Sequence, residues 1–198
     1  MTDMLTVEAA RTAVLERIHA LGDEQVPLAD ALDRHLANDV AAIADNPPHD
    51  NSAMDGYAVR FADTATASGS TPIRLQVIED IPAGTVPQRK VSTGQASRIM
   101  TGAPVPEGAD TVIRVEDTRS EDDWVEILEP EDGVGENIRG QGDDMKSGEV
   151  LLRAGDLVGP GEIGVLATAQ HANLTVTRRP TIAILSSGDE LVEVGEPL

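Results

Sequence analysis

The chain has 198 residues, enough to bury a core in one or two domains, and its lack of cysteine excludes a disulfide framework, a thiolate nucleophile and a Cys-ligated metal. Fifteen Lys and Arg against 35 Asp and Glu leave a net charge of −20, which argues against nucleic acid as a partner. No apolar run is long enough to span a bilayer and no signal-peptide pattern is present, so a soluble cytoplasmic protein that engages no membrane is expected.

Taken in chain order, the first predicted element is a helix capped by Thr6, with Val7, Ala10, Val14, Ile18 and Leu21 at helical spacing and Gly22 as the stop. A second short helix is predicted over Ala29 to Ala37, with Leu32 and Leu36 on its apolar side, followed by a strand from Asp39 to Ile43 that Pro47-Pro48 ends. From about Asp50 helical periodicity gives way to short strands between Gly/Pro turns. Ile73, Leu75 and Val77 alternate with polar residues, as do Val125 and Ile127, and the acidic stretch Arg119 to Asp123 fits a hairpin tip. This texture predicts a small β-domain, a barrel or half-barrel. A strand over Glu149 to Arg153, a helix opened by Pro160 and running through Ile163, Leu166 and Ala169, and a strand from Leu174 to Thr177 follow. The apolar run Thr181 to Leu185 reads as a strand buried on both faces, as in a parallel sheet. Such a sheet needs crossovers and further strands beyond Leu198, so an incomplete third domain is expected. With aromatics at 2% against 40% hydrophobic residues, the core must be built from aliphatic side chains. The four histidines, His19, His35, His49 and His171, show no zinc-ligand spacing.

Four polar segments carry the candidate chemistry. Asp50 to Ala58 reads DNSAMDGYA; Asp55 is either a cap of loop amides or a carboxylate offered to a metal or proton from a rigid loop. Arg98 to Asp110 reads RIMTGAPVPEGAD, in which Thr101-Gly102 either joins two strands or presents a hydroxyl and N–H groups to an anion. Asn137 to Asp144 reads NIRGQGDD, either a charged hinge or a place where Asp143 or Asp144 supplies a carboxylate. Ser186 to Leu191 reads SSGDEL at the carboxyl end of the last apolar run; Ser186, Ser187 and Gly188 can cradle an oxyanion while Asp189 or Glu190 holds a cation, or the segment is a plain turn and N-cap.

The order and combination of these segments, with Glu116, Gly148, the stretch from Pro160 to Arg178-Arg179-Pro180, and ILSSGDELVEVGEPL, resemble the molybdopterin molybdenumtransferase family (bacterial MoeA and the gephyrin E domain). Ser187 stands where the family usually has threonine, which keeps the hydroxyl. The resemblance implies a multi-domain α+β protein: an elongated helix/strand domain from residues 1–48 and 142–179, an inserted β-rich half-barrel over 49–141, and the start of a truncated α/β molybdopterin-binding domain over 180–198. It implies a homodimer whose active site forms between the inserted domain of one protomer and the third domain of its partner. The implied reaction inserts molybdate into adenylylated molybdopterin with release of AMP, assisted by Mg²⁺. By motif match it implies catalytic roles for Asp55, Thr101, Asp144 and Glu190, substrate contacts from Thr101, Gly102, Ser186, Ser187 and Gly188, and metal ligation by Asp55, Glu190 and Asp189. Two other readings stand beside it: a non-catalytic dimerisation or assembly module, or half of a split enzyme, and a lone anion-binding protein.

Lys90 and Lys146 are the only lysines, and an acidic, lysine-poor surface suits concentrated salt. Excess carboxylates repel one another until salt screens them. The melting temperature is therefore expected to rise between dilute buffer and about 1 M KCl, where the Debye length is roughly 3 Å; a flat profile in a thermal scan removes the salt-adaptation reading.

Overall fold

The computed structural model describes residues 4–19 and 21–197. Two units emerge, residues 1–39 with 152–167 and 171–198, and residues 40–151 with 168–170.

In the first unit α1 spans Val7–Leu15, and the Thr6 hydroxyl accepts from Ala9 N at 3.1 Å, as its capping position predicts. The helix ends at Leu15, so Ile18 and Leu21 lie beyond it, and none of its residues is buried. β1 (Asp23–Pro27) pairs antiparallel with β12 (Asn173–Thr177). The helix predicted over Ala29 to Ala37 does not form. A 3₁₀ turn at Leu28–Asp30 gives way to Asp33 in the left-handed region (φ 58°), and the amides of Leu36 and Ala37 donate to Asp156 O and Thr175 O. Tertiary partners for the backbone override the local helical pattern there. Arg34, 8% exposed, is satisfied by Glu24 at 2.5 Å and by Thr177 O at 2.8 Å. Pro160 opens α3 (Pro160–Thr168), which buries Leu166. No strand forms over Thr181 to Leu185; Ile182, Ile184 and Leu185 are 74%, 89% and 94% exposed, and among the described residues no strand pairs with this segment. Leu198, the last position of the expected segment 180–198, lies outside the described residues.

The second unit is built on a curled, six-stranded half-barrel sheet. After the short strands β2 (Val40–Ala41) and β3 (Asn51–Ser52) come β4 (Gly56–Val59), the single-turn α2 (Phe61–Thr64), β5 (Ile73–Ile81), β6 (Gln95–Ile99), β7 (Thr111–Arg114), β8 (Thr118–Glu121), β9 (Trp124–Ile127), β10 (Ile138–Arg139) and β11 (Val150–Leu152). The sheet order is β7-β4-β6-β5-β9-β8, with β5 and β6 parallel and the other neighbours antiparallel. The acidic stretch expected at a hairpin tip is divided: Arg119 to Glu121 belong to β8, and the turn is Asp122-Asp123. One apolar cluster gathers Tyr57, Val59, Leu75, Ile113, Val125 and Ile127, and a second gathers Ala58, Ile81, Ile99, Ala103 and Val112. Residues 40–48 and 142–151 pack with this unit because Ala42 N donates to Glu149 O, Asn46 bridges Met145, and Ala42, Met145 and Ala169 form a small core. The packing units divide at 39/40 and 151/152, whereas the resemblance implies bounds at 48/49 and 141/142.

β4 is buried along its whole length between β6 and β7. A Cβ on Gly56 would stand 1.9 Å from Ile113 O, so only glycine lets the two backbones approach. Gly56→Ala is expected to lower the unfolding free energy by about 3 kcal/mol, read as a shifted urea midpoint; a change below about 1 kcal/mol would show that the ladder relaxes at little cost.

Candidate functional site

Three of the polar segments meet in the second unit through main-chain hydrogen bonds. Ser52 N donates to Ala103 O (3.0 Å), Gly102 N to Ser52 O (2.8 Å) and Val105 N to Asp50 O (2.9 Å), which sews DNSAMDG to TGAPV. On the other side β3 pairs with β10, setting Ser52 against Ile138 and Asn51 against Arg139, and Ala53 N donates to Asn137 O at 2.8 Å. The Ser52 hydroxyl donates to Met54 O at 2.5 Å and closes the turn that leads into β4.

Asp55 stands exposed at the end of this turn. Its Oδ1 accepts two hydrogen bonds, from Thr101 N at 2.7 Å and from the Thr101 hydroxyl at 2.8 Å. The Thr101 amide above all, then the Thr101 hydroxyl, hold the Asp55 carboxyl below the usual carboxylate range; desolvation opposes them, and the charge of Arg98 adds the smallest contribution. The expectation that Thr101-Gly102 offers free N–H groups to an anion is corrected by this geometry. Thr101 N is used by Asp55, Gly102 N by Ser52 O and Ala103 N by Met100 O. With those donors engaged, the site presents acceptors: the second oxygen of Asp55, which has no hydrogen bond from the described residues, and the lone pairs of the Thr101 hydroxyl. An acceptor-only pair suits a hard cation. Gly102 itself adopts φ +81°, with open space where a Cβ would be, so this side of the loop is clear for close approach.

Asp144 sits in a separate network of the same unit. Arg139 grips both its oxygens, at 3.0 and 2.7 Å, and Asn46 Nδ2 adds a bond at 3.1 Å. Asp143 caps Gly140 N at 2.6 Å. Asp45 accepts from Ser147 N (2.8 Å) and Gln141 Nε2 (2.7 Å); chiefly the Ser147 amide, then Gln141, hold its carboxyl low. Gln141 N donates to Asp50 Oδ1 at 2.8 Å and so links this network to the start of the Asp55 loop. Arg139, Asn46 and Gln141 were not singled out from sequence. Their one signal is a lone arginine and two amides beside a run of carboxylates, too common to read without the fold.

Ser186, Ser187, Gly188, Asp189 and Glu190 belong to the other unit and are exposed. There Leu191 N donates to Gly188 O at 3.1 Å, and the Glu190 carboxylate folds over Gly188, where a Cβ would meet it at 2.5 Å. Among the described residues no group of three or more His, Asp or Glu is placed to hold a metal ion. One carboxylate with a neighbouring hydroxyl still fits Mg²⁺, which commonly takes one or two protein carboxylates and completes its shell with phosphate and water.

Residues 5–169 match the family model for the MoeA N-terminal region (domain I and II). A molybdopterin molybdenumtransferase from Bacillus subtilis is 43% identical over 178 residues, covering 88% of this chain and 41% of the relative. One from Nostoc is 40% identical over 201 residues, covering 100% of this chain and 46% of the relative. Two solved structures of the molybdopterin biosynthesis MoeA protein from Pyrococcus horikoshii superpose with TM-scores of 0.82 and 0.80 at 34% and 37% identity, covering 99% and 90% of this chain and 50% and 47% of theirs. The chain thus spans about half the length of the proteins it matches.

A carboxyl held low in the folded state stabilises the fold above its unfolded value, about 3.9, and loses that contribution as pH falls through the folded value. Carbon-13 NMR titration is expected to find Asp55 ionising below the ordinary range. Thr101→Val, which removes the hydroxyl but keeps the larger contribution of the amide, should move it partway back; an unmoved inflection would mean that the hydroxyl does not hold the carboxylate.

Proposed function

The chain belongs to the MoeA N-terminal family, and from that premise we propose that it provides one side of the site that inserts molybdate into adenylylated molybdopterin with release of AMP, in a cytoplasmic, Mg²⁺-assisted reaction. What carries the reading is the Asp55–Thr101 pair: an ionised carboxylate with one oxygen fixed by two donors and the other without a hydrogen bond from the described residues. Asp55 is the proposed metal-holding residue. Mg²⁺ bound there supplies neutralisation of phosphoryl charge. Thr101 orients the carboxylate and keeps it ionised. Gly102 leaves room for the substrate. Asp144, Asp189 and Glu190 are proposed in catalysis or metal ligation, and Ser186, Ser187 and Gly188 in substrate binding, from the motif match.

The charge of the protein bears on how an anionic substrate is admitted. At −20 overall, with the local N–H groups already engaged, an approaching phosphate or molybdate meets carboxylate oxygen first. A divalent cation converts that repulsion into attraction. On this reading the reaction depends on added Mg²⁺.

One observation favours the assembly reading as a companion to the catalytic one. α1 buries none of its residues, and Met4, Leu5, Val7, Val14 and Leu15 are all more than half exposed. An isolated nine-residue helix is marginal in water, so a covering partner, with a second copy of the chain as the proposed one, accounts for its persistence.

In a full-length protein carrying this sequence, Asp55→Ala is expected to cut AMP release from adenylylated molybdopterin by at least about a hundredfold, while the loss of capping costs no more than about 2 kcal/mol of stability. Full activity in the variant would refute the assignment of Asp55. AMP release by the 198-residue chain alone, measured beside its mass by light scattering, separates a self-sufficient enzyme from an assembly module.

A further inference from the structure

A cavity of about 360 Å³ opens on the half-barrel sheet, within the size range of small-molecule sites. Tyr57, Val77 and Ile78 contribute to its lining, which is otherwise polar. Its walls carry Asp80 from β5, Arg98 from β6, and Asp122 and Asp123 from the turn between β8 and β9. Tyr57 is 2% exposed, packed by its ring in the apolar cluster of the sheet. Its hydroxyl has no hydrogen-bond partner among the described residues and opens on the cavity, where water or a ligand reaches it. Glu79, which also lines the cavity, is held by the amides of Gln88 and Arg89, but the other carboxylates are only lightly committed. Asp80 lies 3.6 Å from Arg98, beyond hydrogen-bond length, and Asp122 and Asp123 take part in no ion pair among the described residues.

We propose that this cavity is a binding site for a small organic cation, an amidinium, guanidinium or ammonium on an apolar body, seated between Tyr57 and the carboxylates of Asp80, Asp122 and Asp123. The apolar body covers Tyr57, Val77 and Ile78, the cationic head reaches the carboxylates, and a polar atom of the ligand satisfies the Tyr57 hydroxyl. The anionic substrate proposed for the Asp55 loop would face four carboxylates, Glu79 included, against one arginine. The site is therefore separate from that reaction.

Benzamidine is a suitable probe, with benzamide as the neutral isostere and benzoate as the anion, titrated by calorimetry and by the fluorescence of Trp124, the only tryptophan. Saturable binding of benzamidine is expected, about tenfold or more tighter than benzamide, with benzoate excluded. Asp123→Asn and Asp80→Asn should each weaken it several-fold, and Tyr57→Phe should weaken it while leaving the melting temperature nearly unchanged. Glu193→Gln, which removes the same charge from the other unit, should leave it unchanged. Equal binding of benzamide, absence of saturation, or an equal loss in Glu193→Gln and Asp123→Asn would overturn the proposal. Asp123 lies on an exposed turn, so its variant tests the site even where Tyr57→Phe perturbs the core.

Discussion

Residues 50–56 are gripped along both edges by main-chain hydrogen bonds, from Gly102, Ala103 and Val105 on one side and from Asn137 to Arg139 on the other. Everything proposed for Asp55 depends on this clamp. A loop residue ordinarily loses entropy when it takes up a working position; here the ordering is done by the ladder before any ligand arrives. The same clamp consumes the amides that a free loop would offer to an anion. Rigid placement and the loss of donors are therefore one event, and they turn the site toward cations.

The acidic side chains of the second unit serve its loops more than its ion pairs. Asp45 caps Ser147 N, Asp50 caps Gln141 N, Asp110 accepts from Phe61 N, Asp143 from Gly140 N, and Glu79 from the amides of both Gln88 and Arg89. A carboxylate bound to an N–H needs no cation, which is how a chain with 15 basic residues tolerates 35 acidic ones. The exposed ion pairs, such as Arg119–Glu126 and Lys90–Glu107, add little by comparison.

The first unit shows the opposite economy. α1 and the segment after Pro180 carry apolar side chains that stay in water, Val194 and Ile184 among them. Apolar surface of this extent is the observation on which the proposed assembly reading rests. It gives the assembly reading a physical basis that is independent of the Asp55 loop.

What the sequence by itself determined was local. The Thr6 cap, Pro160 at the start of α3, the alternation through Ile73, Leu75 and Val77, and the change from helical to strand texture all follow from side-chain periodicity and backbone preference over a few residues. Asp55 and Thr101 were legible as candidates because small, acidic and turn-forming residues cluster around them. Only the tertiary structure decided that these two touch, that the Thr101 and Gly102 amides are spent, and that Asp144 answers to Arg139 and Asn46. It also decided that Leu36 pairs across to Val176 instead of continuing a helix. The contacts of Asp55 and Asp144 turn on where a hydrogen-bond donor finds its acceptor, 46 residues away for the Thr101 amide and 98 for the Asn46 side chain, and a partner at that separation leaves no periodic trace in the chain.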